Sequence, residues 1–439
     1  MKKIRIIGGG LAGAEAALQL ADHGWQIELY EMRPAVQTPA HRTGDFGELV
    51  CSNSWKSLLI NTAAGLLKKE MEMMNCRLLP IAYKSAVPSG NALALDRQIF
   101  SQLLTREIES CPNITIHREE VREIPSEQTI LASGPLTSEA LTRAIIKLIG
   151  TSHLYFFDAI APIITADSID KDRVFARTRY DKGTADYLNC PFTPDQYHAF
   201  VDALTRGKKY HAHDFENDFF QDQDFNFYEN CIPLEELARR GVDTLRFGVM
   251  RPVGLADPRT GERPYAVIQL RAENQAETAY NLVGCQTMLL QGEQKRIFRL
   301  VPGLEKAEFL RLGSIHRNTY LNSPAVLNEN LQFRKNPGVY LAGQLSGVEG
   351  YVESVLSGLL ISRIIAGDKR LLPATTISGQ LWRHLITPVE NFQPMNANFG
   401  LLPPLAGNRH DKSRKKELLA ERALHDLRTF LDHPESAIT

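Results

Sequence analysis

Two thiols in this chain stand in settings that favour nucleophilic chemistry. Cys51 lies in Gly47-Glu48-Leu49-Val50-Cys51-Ser52-Asn53-Ser54-Trp55-Lys56-Ser57, rich in small polar residues, with Lys56 as a nearby cation able to favour a thiolate. Cys231 lies in Asn230-Cys231-Ile232-Pro233-Leu234-Glu235-Glu236-Leu237-Ala238-Arg239-Arg240-Gly241. That run predicts a helix with Pro233 in its first turn and Gly241 past its end. A cysteine at a helix N-terminus gains thiolate character from the dipole. The other four cysteines (76, 111, 190 and 285) are expected as small buried hydrophobes. No Cys-x-x-Cys pair occurs, which argues against a zinc knuckle, a disulfide framework and a dithiol redox couple.

A cofactor site is written at the front of the chain. Ile4-Arg5-Ile6-Ile7 predicts a buried strand, Gly8-Gly9-Gly10-Leu11-Ala12-Gly13 matches G-x-G-x-x-G, and Ala14–Ala21 predicts a helix that Gly24 stops. Ile27-Glu28-Leu29-Tyr30 predicts a second strand with Glu31 at its end. In this order the parts read as a dinucleotide site. Gly8 permits the tight turn, Gly10 admits a pyrophosphate, Gly13 lets helix and strand pack closely, and Glu31 accepts from the adenosine ribose. This fingerprint suits NAD or FAD equally. Gly338-Val339-Tyr340-Leu341-Ala342-Gly343-Gln344, leading through Gly347 and Gly350 into a helical run from Tyr351 to Ile365, decides for FAD. It looks like the late segment of flavoproteins with two dinucleotide-binding domains, where a helix N-terminus points at the flavin N1–C2=O edge. Gln344 departs from the Asp found at that place in many such proteins.

The elements between these ends fit one discontinuous core. Leu95–Phe100 opens a helix, and Ile114–His117 and Thr129–Leu131 are strands. The expected fold is α/β: a Rossmann-like FAD-binding domain of the GR2 flavoprotein type with an inserted α+β domain. The expected division is 1–154 and 316–368 for the FAD domain, 155–315 for the insertion, and 369–439 for a C-terminal helical segment. In that segment Leu419, Ala423, Leu427 and Leu431 form an apolar stripe.

Composition is that of an ordinary globular chain: 43% hydrophobic and 23% charged, with 50 Lys+Arg against 51 Asp+Glu. A polyanionic partner would therefore need local basic surface. Candidates are Arg173, Arg177, Arg179 and Lys182, then Arg206, Lys208 and Lys209 beside Tyr210, and Arg239 with Arg240. Residues 409–428 add seven Lys/Arg against four acids. No run of about 18 apolar residues predicts a membrane span, and no signal-peptide core opens the chain, so the expected compartment is the cytoplasm. His211, His213 and Asp214 do not fit a helical zinc pair, so no metal is expected.

Several motifs together resemble the TrmFO family of folate- and FAD-dependent tRNA uracil-C5 methyltransferases. They are Gly8–Gly13, Cys51–Ser54, Val87–Arg97, Arg179–Gly183, Tyr187–Pro191, Asn230–Glu236, Phe247–Leu255, Gly343–Gly350 and Met395–Gly400. The chain is similar, more distantly, to the MnmG (GidA) wobble-uridine modification proteins. The first resemblance implies formation of 5-methyluridine at position 54 in the tRNA T-loop. The carbon donor is 5,10-methylenetetrahydrofolate, FAD is the cofactor and NAD(P)H the reductant. It implies that Cys231 adds to uracil C6, making C5 nucleophilic. Cys51 is assigned either C5 proton removal or a covalent adduct in the resting enzyme. Arg251 reads as a donor to the enolate oxygen or as a structural ion-pair partner, and His316 as a folate or flavin neighbour or a plain surface histidine. Against these stand a wobble-uridine modifier needing a GTPase partner, a general flavin NAD(P)H oxidoreductase, and a flavin-stabilised tRNA-binding protein without turnover.

Overall fold

A computed structural model of the chain describes residues 2–38, 40–150, 154–181, 185–210, 232–405 and 412–433. Its central sheet begins with strand β1 (Lys3–Ile7) and helix α1 (Leu11–Asp22), followed by strand β2 (Gln26–Tyr30). The sheet order is Gln332–Phe333, Asn336–Leu341, Thr129–Leu131, β1, β2, Ile114–His117. All pairings are parallel except the antiparallel edge of the first two. Central parallel strands are covered on both faces, which is why Ile4, Ile6 and Ile7 are all buried rather than alternating with polar residues. Ile6 stands between Leu29 and Ile130 in register, and Tyr340 extends the row beside Ile130.

The strand that completes this sheet, Asn336–Leu341, comes some two hundred residues after Thr129–Leu131. The intervening chain builds a second, wholly antiparallel sheet. Its order is Phe175–Ala176, Tyr187–Phe192, Ala266–Ala272, Ala279–Leu282, Ile163–Thr165, Phe309–Arg311. Helix Pro194–Arg206 buries Tyr197, Phe200, Val201 and Leu204 in this body's own core. The chain leaves and returns on adjacent antiparallel strands, Leu154–Ala159 and Ile315–Tyr320.

Two helices set the cofactor end. Helix Tyr351–Ala366 is buried along nearly all its length and crosses α1 closely. A methyl added at Gly358 would lie 2.2 Å from the Ala12 carbonyl oxygen, so only glycine permits this approach. Near the C-terminus, helix Lys412–Asp432 packs on helix Ala63–Met73 and buries Leu419, Ala423 and Leu427, the predicted apolar stripe, while Leu431 is half-buried. Helix Ile377–Ile386 starts on Glu70, whose two carboxylate oxygens accept the Ile377 and Ser378 N–H groups at 2.9 and 2.7 Å. Among the described residues no helix is long and apolar enough to cross a membrane.

Candidate active site

The glycine turn is built by close approach. Gly8 has φ +105, and a methyl there would lie 2.4 Å from the Ala132 carbonyl oxygen on the neighbouring strand. A methyl at Gly13 would lie 1.9 Å from the Gly8 carbonyl oxygen, so helix and turn could not close. Gly9 packs under Phe46 and donates its N–H to Glu31 Oε2 at 3.0 Å. Gly10 caps α1 with backbone alone, and a methyl there meets nothing within 4 Å. It faces open space, where the first N–H groups of the helix are available to an anion.

That space is a cleft of about 1010 Å³, open solvent at its mouth included. Gly8, Gly10, Leu11, Ala12 and Glu31 line one part of it, and Gly343, Gln344, Tyr351 and Ser354 another. Gly9, Gly13, Gly347 and Gly350, also expected at the cofactor, are not among the lining residues. Gly347 (φ +92) backs onto Phe392, and Gly350 (φ +119) is the cap of helix Tyr351–Ala366. Two helix N-termini thus border one cleft, with an acid at its far end. Glu31 Oε1 accepts from Arg33 N and Nε at 3.0 and 2.9 Å. Burial alone would raise the Glu31 pKa, but the Arg33 hydrogen bond and charge, with the Gly9 N–H, hold it below its ordinary value. It stays an acceptor. Gln344 donates to Glu349 Oε2 at 2.8 Å, which fixes the side chain standing where other flavoproteins carry Asp. The donors and the acid fit a flavin dinucleotide.

Val50 and Tyr351 line this cleft, and Cys51 follows Val50 in the chain. Its N–H donates to the Tyr351 hydroxyl at 2.8 Å. Two arginines hold the surrounding backbone and a third holds the side chains that follow Cys51. Arg97 donates from Nη1 to Leu49 O at 2.5 Å and from Nη2 to Cys51 O at 2.7 Å. Its Nε meets Glu273 at 2.6 Å. Arg311 donates to Val50 O at 2.6 Å, and Arg271 to Ser52 Oγ and Asn53 Oδ1, both at 2.9 Å. Glu273, Arg271 and Arg311 all belong to the antiparallel body, so the Cys51 loop is fastened across the two sheets. Burial pulls the Arg97 pKa down, but the Glu273 carboxylate outweighs it and raises it. Burial, then the Arg97 charge, lowers that of Arg311.

Other expected residues fall differently. Lys56 does not serve Cys51: its Nζ is 3.3 Å from Glu353 Oε1, which also accepts the Ala397 N–H at 3.0 Å. Arg97 and Arg311 are within electrostatic reach of Cys51. Arg251 is exposed and makes no ion pair among the described residues. Helix Leu234–Arg239 begins one residue later than expected, with Pro233 as its cap. Cys231 itself, Lys182 and the His211–Asp214 cluster lie outside the described residues, as does the His316 side chain. Of the remaining cysteines, 76, 190 and 285 are buried and 111 is half-buried. Among the described residues no cluster of His, Cys, Asp and Glu could hold a metal. Arg97, Arg271, Arg311, Glu273 and Tyr351 were not singled out by sequence reasoning. Only the motif Val87–Arg97 and the proximity of Tyr351 to Gly350 hinted at two of them.

Sheet, glycine turn and late strand–helix unit define a Rossmann-like flavoprotein fold. The structure is similar to that of Aquifex aeolicus GidA (form II crystal), with TM-score 0.66 and 15% identity over 97% of this chain and 73% of that one. The family model described as Glucose inhibited division protein A matches residues 3–370. Three relatives are each called Methylenetetrahydrofolate--tRNA-(uracil-5-)-methyltransferase TrmFO. That of Koribacter versatilis is 50% identical, covering 98% of both chains. That of Desulforudis audaxviator is 49% identical, covering 97% of both. That of Dictyoglomus thermophilum is 49% identical, covering 97% of this chain and 98% of the other. The chain belongs to the TrmFO family, within the GidA group.

Proposed function

We infer that this protein transfers a one-carbon unit from methylenetetrahydrofolate to C5 of a uracil in tRNA, as a methyl group. The relatives named above carry that activity in their names. The observation that carries the reading is one cleft lined by Glu31, by two helix N-termini and by Val50 and Tyr351, which respectively adjoin and hydrogen-bond the Cys51 backbone. We further propose FAD as the bound cofactor, NAD(P)H as its reductant, a T-loop uridine as the target, and the cytoplasm as the compartment. The division 1–154 and 316–368, 155–315, and 369–439 is proposed for the flavin domain, the insertion and the C-terminal segment.

Each residue then has a task. Glu31 accepts the ribose hydroxyls, and the α1 N-terminus at Gly10–Ala12 takes the pyrophosphate. Gly343 and Gln344 border the ribityl chain, and the Gly350-capped helix directs its positive end to the ring. Bound there, a flavin supplies two-electron reducing power beside the folate's one-carbon unit. Cys231 adds to uracil C6 and makes C5 nucleophilic, an assignment that rests on the Asn-Cys-Ile-Pro motif. Cys51, hydrogen-bonded at its backbone to Tyr351 and Arg97, takes the C5 proton.

The test is methylation of an unmodified tRNA transcript by holoprotein, with the product nucleotide mapped. Wild type is expected to methylate a T-loop uridine, and Cys231→Ala to abolish it while still binding flavin. Full-rate methylation by Cys231→Ala would overturn the nucleophile assignment. Modification only in the anticodon loop would overturn the target.

A further inference from the structure

One surface of the antiparallel body is built unlike the rest. The Tyr180 backbone is left-handed, φ 61 and ψ 23, which a bulky side chain seldom adopts without compensation. The compensation is Gly254. Tyr180 donates its N–H to Gly254 O at 2.7 Å, and a methyl added at Gly254 (φ +82) would touch the Tyr180 ring at 3.0 Å. The ring therefore rests on the glycine backbone, and the residue is 57% exposed. Exposed on the 247–253 loop leading to that glycine are Phe247, at 71%, and Arg251.

Two like charges meet at the same place. Arg179 spends Nη1 on the carbonyl oxygens of Arg251 and Val253, at 2.5 and 2.9 Å, and Nε on Gln269 at 3.1 Å. Its Nη2 has no acceptor among the described residues. Burial, and then the charge of Arg251, press the Arg179 pKa down; Tyr180 opposes them, and among the described residues no carboxylate does. Arg259 and Arg173 on the same body, by contrast, are answered by Asp257 and Glu305. A cation pair kept together without an acid is arranged for an anion from outside.

The geometry points to a nucleotide-reception site, in which Arg179 and Arg251 take a phosphate of the tRNA backbone and the Tyr180 ring stacks a base next to the target uridine. The inference deepens the tRNA reading and rests on it. A uridine drawn out of its stack for chemistry leaves a neighbouring base uncovered, and an aromatic face replaces the lost partner. The placement suits that role. Gln269, which holds Arg179, shares one face of strand Ala266–Ala272 with Arg271, two residues on. Arg271 holds Ser52 and Asn53, the residues following Cys51. At a rise of about 3.3 Å per residue, the two anchors are roughly 7 Å apart along the strand, about one nucleotide.

The test measures binding of fluorescein-labelled, unmodified tRNA transcript to holoprotein across a salt series. It also measures the KM for methylenetetrahydrofolate and NAD(P)H oxidation without RNA. Tyr180→Ala is expected to weaken tRNA binding about ten-fold while Tyr180→Phe stays within about two-fold, since stacking needs the ring and not the hydroxyl. Arg251→Gln is expected to lower the slope of log affinity against log salt by about one. Folate KM and RNA-free oxidation should not move. Wild-type affinity in Tyr180→Ala, or equal losses in the Ala and Phe variants, would overturn the stacking assignment. A raised folate KM with unchanged tRNA affinity would assign the arginine pair to the glutamate tail of the folate and overturn it equally. A wild-type protein that neither binds nor methylates the transcript would remove the functional reading itself. An active wild type with neutral variants would remove this inference alone.

Discussion

The hydroxyl of Tyr351 accepts the N–H of Cys51 at 2.8 Å, joining residues 300 positions apart in sequence. Tyr351 is the first residue of the Gly350-capped helix that borders the cleft, so one hydrogen bond couples this helix and the thiol loop. Burial, and then the Cys51 thiol, raise the Tyr351 pKa, so it remains a neutral phenol throughout the physiological range. Tyr351→Phe removes the acceptor and leaves a half-buried N–H unmet. A lost bond of about 1 kcal/mol predicts methyl transfer slowed roughly five- to ten-fold, with flavin content unchanged. Single-turnover kinetics and the flavin-to-protein absorbance ratio check this.

Arg97 and Glu273 form the ion pair that spans the two sheets. Both side chains are largely buried, and removing one leaves the other uncompensated. Arg97→Met should destabilise the protein by about 3–5 kcal/mol. Adding Glu273→Gln should recover part of that loss, by at least about 1 kcal/mol. A double-mutant cycle in thermal or urea unfolding measures the coupling, and simple additivity would show that the pair does not act as a unit.

Two glycines of the same turn should respond in opposite ways. Gly13→Ala places a methyl 1.9 Å from a carbonyl oxygen, with no room to relax, and should abolish the folded holoprotein. Gly10→Ala meets nothing and has an ordinary φ of −74. It should fold with a melting temperature close to wild type yet bind flavin more weakly, because its methyl enters the cleft. Equal behaviour of the two variants would contradict the assignment of Gly10 to the ligand side.

Glu70 offers a pH test. Burial raises its pKa to about 7, against the hydrogen bonds from Ser378 and Ile377 that favour the charged form. The folded state then binds more protons than the unfolded one between the ordinary Glu value, near 4.5, and 7. This group's contribution is therefore fully present below about 4.5 and is lost as pH rises through 7, by roughly 3 kcal/mol in all. Glu235, raised by burial to about 7 as well, acts in the same sense. Glu70→Gln should be less stable than wild type at pH 5.5, with a gap that narrows by pH 8. Melting temperatures across that range give the answer.

What the sequence displayed were the local features. Strand, glycine turn, helix and acid follow one another within Lys3–Glu31, so each part constrains the next and the cofactor end could be read directly. The fastening of Cys51 could not. Arg97 reads as the first residue of a helix after an Asp96 cap, and nothing nearby indicates that it reaches back to Leu49 and across to Glu273. Arg271 lies in a strand whose pattern announces burial, not a polar partner on another body. Glu15 is similar. It sits mid-helix in α1 and accepts the N–H groups of Arg77 and Leu78, anchoring a helix more than sixty residues away. Proximity in sequence offers Lys56 as the cation for Cys51, but Glu353, some three hundred residues on, claims it.

The measurement that bears most directly on the central claim follows a carbon label. Holoprotein is incubated with methylene-labelled methylenetetrahydrofolate, NAD(P)H and unmodified tRNA, and the label is located by digestion to nucleosides. The account predicts label in the C5 methyl of a T-loop uridine, lost when the flavin is stripped and regained when FAD is restored. Label absent from the tRNA, or transferred at full rate by flavin-free protein, would contradict it.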